Sequence, residues 1–330
     1  MAEWGTFQGE PVERFEITDG QMTAHVMSWG AALQDLRLEG VDHPLVLGFD
    51  TFDPYPDHSP FFGATAGRVA NRIRHGRFTI DGIEYQAETN AGEHTLHGGA
   101  DGMGKRLWRV GRVGEDFAEF HITDLDGYNG FPGRVGATCR YEVAGGALHV
   151  ILTATTTKPT PVNLAHHTYW NLSGAGHVRD HVVQVSAERY SEVDDDFIPS
   201  GATPRVDGTR FDFREPRRLG DATAEGVVDH NLILSNAREA LREVAVIEGG
   251  AVTLSIETTE PGLQVYAGHK MDIPVPGLGG RRYGAYAGLA LEPQVWPDAV
   301  NHSHFPQMVL RPGETYRQES VFRIEANGLS

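Results

Sequence analysis

The sequence predicts an all-β protein, a large antiparallel β-sandwich, and three observations carry that expectation. Its 330 residues include 40 glycines and 18 prolines spread along the chain, which reads as many turns and therefore many strands. Between the turns recur short apolar or alternating runs with the two-residue period of a half-buried strand. Sustained helical periodicity is missing, and the one helical candidate, Asn236 to Glu243, is too short to hold without tertiary support. No fixed-period repeat or low-complexity stretch divides the chain, so residues 1–330 are read as one domain.

In chain order, Thr23 to Trp29, Ala31 to Leu38 and Leu45 to Phe49 are expected strands bounded by Gly and Asp. Asp50 to Phe62 holds three prolines among aromatics and is expected to be an ordered loop whose rings pack inward. Phe78-Thr79-Ile80 and Ile83-Glu84-Tyr85 flank Asp81-Gly82, a dipeptide suited to the left-handed turn of a hairpin. Ala147 to Thr155 and Ala251 to Glu257 alternate as half-buried strands.

Composition removes several function classes. With 45 acidic against 28 basic residues, a net charge of −17 and no basic run, the chain opposes nucleic-acid binding. The single cysteine, Cys139, excludes an internal disulfide framework and a cysteine-rich zinc site. The opening MAEWGTFQGEPVERF lacks the basic start and apolar run of a signal peptide, and no stretch is long enough to span a bilayer; a cytoplasmic location is expected.

The stretch most charged with chemistry is PVNLAHHTYWNLSG, Pro161 to Gly174. Extended, it puts Asn163, Ala165, His167 and Tyr169 on one face and Leu164, His166, Thr168 and Trp170 on the other. The two histidines therefore have different surroundings. Gly67 to Ile73, GRVANRI, gathers Arg68, Asn71 and Arg72, whose planar donors suit hydroxyls or carboxylates. His97 in TLHGG is presented at a sharp turn. His94 and His97 would diverge on a strand, which breaks them as a metal pair, whereas His302 and His304 with His166 or His167 make the best case for a metal. Asp229 in VVDHNL is drawn inside and needs a partner. Gln264 faces with Tyr266 in LQVY, an amide beside an aromatic, which suits a sugar. Glu292 stands before Pro293, which is expected to end its ladder at a cleft.

Taken together, SWGA, LGFD, FGATAGRVANRI, LHGG, NLAHHTYWNLSG, IPSG with FDFR, VDHN, LQVY and LEPQVWPDAVNH occur in the order found in galactose mutarotases, and the chain resembles that aldose 1-epimerase family throughout. The resemblance implies a β-sandwich of the galactose mutarotase type that works on a monosaccharide, a free aldose such as D-galactose or D-glucose, without metal or organic cofactor. It implies a general acid at His167, a general base at Glu292, and sugar contacts from Asn71, Arg72, His97, Thr168, Tyr169, Asp229 and Gln264. His166 stands where the family commonly has asparagine, and LQVYAGHKMD departs from the usual VQFYTGNFLDG-like run. Reference pKa values, roughly 4.3 for Glu and 6.5 for His, suffice for the two roles, with a nearby carboxylate favouring charged His167. Two alternatives remain: a sugar-phosphate 1-epimerase holding its phosphate with Arg68, Arg72 and Arg74, and a catalytically silent sugar-binding module.

Overall fold

Turn chemistry and alternation build most of the chain into antiparallel sheets. The computed structural model describes residues 2–327. Its largest sheet has nine strands in the order Arg109–Val113, Phe117–Asp124, Val135–Ala144, Ala147–Thr156, Tyr316–Ala326, Val252–Thr258, Arg242–Gly249, Val182–Val185 and Arg217–Arg218. Along Ala147–Thr156, Leu148, Val150, Leu152 and Ala154 point inward, as the period of two requires.

A five-stranded sheet lies against it, ordered Tyr169–Trp170, Leu289–Gln294, Gly262–Tyr266, Asp229–Ile233 and Arg189–Tyr190. Leu232, Leu263, Val265, Leu289 and Leu291 from this sheet join Val150, Leu152, Ile256 and Phe322 from the larger one in one apolar core. Removing that apolar surface from water drives the two layers together. A four-stranded meander, Ala2–Phe7, Glu10–Thr18, Met22–Met27 and Ala32–Leu38, closes one end. All ladders are antiparallel; among the described residues the parallel exception is an isolated bridge between Val69 and Asn163.

The Asp81-Gly82 hairpin forms between Arg77–Ile80 and Ile83–Gln86, with φ of 51° and 80° at the turn residues. Other expectations give way. Leu45 to Phe49 makes no ladder, only a bridge from Val46 to Trp170, although Leu45 and Leu47 donate their N–H groups to Leu36 and Tyr169. The proline-rich loop contains one helical turn, Tyr55–His58, which tolerates Pro56 because first-turn N–H groups have no helical acceptor. Its aromatics do pack inward: Phe52, Tyr55 and Phe62 are buried together with Phe49. Asn236 to Glu243 is no helix, because Arg238 reaches the buried Glu260 carboxylate at 2.6 and 3.1 Å and a strand begins at Arg242. Pro293 does not end its ladder. Tyr169–Trp170 covers that side only at Leu289 and Ala290, so the missing N–H costs no sheet bond. Among the described residues no helix is long and apolar enough to cross a membrane.

Candidate active site

Alternation decides which side chains can meet. With Leu263, Val265, Leu289 and Leu291 committed to the core, Gln264, Tyr266 and Glu292 must face the other way. Register then sets Gln264 opposite Glu292 and Asp229 opposite Tyr266. His167 ends the short strand Ala165–His167, and Tyr169, two residues on, pairs with Ala290. Over this row lie Phe61 and the small ladder in which Arg72 pairs with Leu96, which brings Asn71 and His97 to the same place. The result is a cleft of ≈ 250 Å³ lined by His167, Glu292, Asn71, Arg72, His97, Tyr169, Asp229 and Gln264.

Thr168, the ninth residue expected there, is elsewhere. It is buried on the back of the strand with its hydroxyl 2.6 Å from Nε2 of His166, so strand alternation overrules the sugar contact that the resemblance implied. His166 itself faces Tyr141 and Phe322 in the core.

At the centre of the cleft, His167 Nε2 lies 3.4 Å from Glu292 Oε1. Both side chains are almost wholly buried, yet His167 Nδ1 and Glu292 Oε2 have no hydrogen-bond partner. Buried polar groups are normally paired, so these two residues, both lining the cleft, hold hydrogen-bonding capacity that the fold does not use. Burial also moves both groups away from the ordinary values expected of them. Desolvation and the neighbouring Asp229 carboxyl push Glu292 well up, with Arg72 opposing. Desolvation pulls His167 down to about 4. Both shifts favour a neutral imidazole beside a neutral carboxyl, the reverse of the expected ion pair.

The remaining groups are set by local bonds. The backbone N–H of Asn71, at φ 59°, donates to His97 Nδ1 at 3.2 Å. The proton of this imidazole therefore sits on Nε2, and burial together with His167, Arg72 and Lys105 keeps the ring neutral. His97 is thus an N–H donor. Gln264 Nε2 donates to Asp229 Oδ1 at 2.7 Å, the partner a buried aspartate requires, and burial raises the Asp229 pKa. The Arg72 guanidinium makes no side-chain hydrogen bond or ion pair among the described residues, which leaves its planar donors available.

His97, His167 and Glu292 are also the one group of three among the described residues with donor atoms spaced for a metal, all within 4.8 Å of one another. The Asn71 bond argues against ligation by His97, since its Nδ1 lone pair is taken and Nε2 holds the proton. The other suggested metal set does not assemble: His302 turns to Asp298 at 3.4 Å and His304 to the Gly201 carbonyl at 2.9 Å. His94 and His97 diverge as expected, His94 toward His75 and His97 toward Phe61.

Two cleft residues were not named from the sequence, although the stretches that hold them were. Phe61 stacks on His167 with centroids 5.7 Å apart and packs on His97 at 4.6 Å. Lys270 lines the mouth. Two of the three arginines suggested for phosphate are absent: Arg68 is buried against Asp124, the carbonyls of Pro132 and Gly133, and Thr160, while Arg74 is tied to Asp194 and the Pro199 carbonyl.

Comparison with known proteins places the chain in a family. Residues 13–323 match the family described as aldose 1-epimerase. The chain is 40% identical over 322 residues to a galactose mutarotase of Bos taurus, covering 95% of this chain and 94% of the relative. It is 34% identical to an aldose 1-epimerase of Escherichia coli K12, covering 96% of each. A crystal structure of an aldose epimerase homologue from C. elegans superposes with a TM-score of 0.91 at 34% identity, over 96% of this chain and all of that one. The chain therefore belongs to the aldose 1-epimerase family and is an isomerase that interconverts the α and β anomers of an aldose.

Proposed function

We propose that His167 and Glu292 catalyse this interconversion as a pair that carries a single proton, with D-galactose or D-glucose as the plain test substrates. The contact of 3.4 Å between Nε2 and Oε1, with both remote atoms unpartnered, carries the reading. In ring opening, Glu292 as carboxylate takes the proton of the anomeric hydroxyl while the C1–O5 bond breaks. The bond's electrons pass to O5, which receives the proton of His167. The open-chain aldehyde then lies beside neutral His167 and protonated Glu292, the form that burial favours. Rotation about C1–C2 exposes the other face of the aldehyde, and closure returns both protons.

Arg72 and the N–H of His97 are directed donors for the oxygens on which charge develops, the preorganised contribution that usually dominates. Asp229 and Gln264 orient hydroxyls that do not react, and Phe61 and Tyr169 wall the apolar side of the ring. We also read residues 1–330 as one domain, since the cleft draws on the chain from Phe61 to Glu292 over a shared core.

A pair that needs one proton gives a bell in pH. Below about 4 a second proton settles on His167, and above the raised pKa of Glu292 the only proton is lost. Polarimetry of freshly dissolved α-D-galactose, corrected for the spontaneous reaction, should show kcat/KM falling on both sides. A rate that climbs steadily with pH, as a lone general base would give, contradicts the reading.

A further inference from the structure

The chain has only three lysines, Lys105, Lys158 and Lys270. Lys158 pairs with Asp126 at the surface. Of the other two, Lys270 lines the cleft and Lys105 stands behind its Phe61 wall, and among the described residues neither has a carboxylate within 4.0 Å. Lys105 Nζ lies 5.1 Å from the centroid of Phe61, the ring that stacks on His167. Lys270 Nζ lies 5.1 Å from the centroid of Phe197, and the Arg72 guanidinium lies 5.4 Å from the same ring. Phe197 is held at φ 60° by a turn in which its N–H donates to the Asp194 carbonyl. Two cations therefore share one aromatic ring beside the cleft.

Three unpaired cations around one small cleft are out of keeping with a chain of net charge −17. None of the three has a carboxylate of the cleft within 4.0 Å among the described residues. Asp229 is engaged by Gln264, and Glu292 lies against His167. Neutral hydroxyls need directed donors such as Arg72 and His97, and gain little from flexible ammonium groups beyond them. Lys270 also falls in the AGHKMD run, where the sequence departs from the family pattern.

We propose that this cleft takes an anionic aldose, a sugar bearing a carboxylate or phosphate away from its anomeric carbon, with Lys270 as the residue that selects it and Arg72 and Lys105 in support. The proposal rests on the cleft being the sugar site, but not on the proton-transfer roles of His167 and Glu292. Charge focused by a cleft raises local anion concentration and is screened by salt.

The test reads binding rather than turnover. Calorimetric titration of the native protein at low ionic strength compares D-galacturonate, D-glucose 6-phosphate and D-galactose. One of the two anions should bind on the order of tenfold more tightly than galactose, which is what one or two partly exposed ion pairs supply. Whichever binds more tightly identifies carboxylate or phosphate as the group taken. The advantage should shrink with added salt, collapse in Lys270→Gln, and persist in Lys270→Arg, which keeps the charge and controls for misfolding. Galactose binding as tightly as both anions at low salt, or an unchanged ratio in Lys270→Gln, overturns the proposal. The same titration in Glu292→Gln should preserve the ratio, which separates this proposal from the acid-base reading.

Discussion

His166 and His167 sit side by side on one short strand, 1% and 4% exposed, and burial lowers the pKa of both, to about 3 and about 4. Their surroundings differ in one respect. Both nitrogens of His166 are engaged, Nδ1 with the Tyr141 hydroxyl at 3.3 Å and Nε2 with Thr168 at 2.6 Å, while the ring packs on Phe322. His167 keeps Nδ1 without a partner and turns Nε2 toward Glu292. Burial and a lowered pKa are thus common to the histidine that faces the core and the one that lines the cleft. Position separates them: His167 lines the cleft and His166 does not.

The largest effect that bears on this comparison should come from the cleft side. Glu292→Gln removes the proton acceptor while keeping shape, and kcat for galactose should fall on the order of 10²- to 10⁴-fold. Near-native turnover in that variant would move the base elsewhere. A middle-sized effect is expected from the row beside it: Asp229→Asn and Gln264→Ala should raise KM about tenfold and lower kcat less, because their contacts are the same in ground and transition states. A large fall in kcat at constant KM for Asp229→Asn would place the aspartate in proton transfer.

The smallest kinetic effect belongs to the back of the strand. Thr168→Val leaves Nε2 of His166 buried without its partner and should cost about 1–3 kcal/mol in denaturant unfolding, with kcat and KM within about twofold. A rise in KM at undiminished stability would return Thr168 to the sugar.

The two faces of this strand were legible in the residues, since a period of two assigns Asn163, His167 and Tyr169 to one side and His166, Thr168 and Trp170 to the other. That alternation accounts for Thr168 lying against His166 and away from the cleft lining. The sheets, the Asp81-Gly82 hairpin and the pairing need of Asp229 were legible for the same reason, being local consequences of pattern and burial. What was not legible depends on distant partners. Asn236 to Glu243 has a helical composition, but Glu260 and the strand ending at Thr258 claim it. Phe61 and Lys270 lie in stretches already singled out, the aromatic loop and the LQVYAGHKMD run, but only the fold shows that they reach the cleft. The pKa values of His167 and Glu292 follow from desolvation by the whole fold, which reference values leave out.

The most direct test of the claim that only the cleft-facing histidine moves protons is a side-by-side polarimetric assay of His167→Asn and His166→Asn on freshly dissolved α-D-galactose, each variant first shown to be folded. His167→Asn should lose on the order of 10²- to 10⁴-fold in kcat. His166→Asn, on the core face, should stay within a few-fold of the native rate while unfolding at lower denaturant. Equal losses of kcat in the two folded variants, or a His167→Asn enzyme that turns over at the native rate, would contradict the assignment.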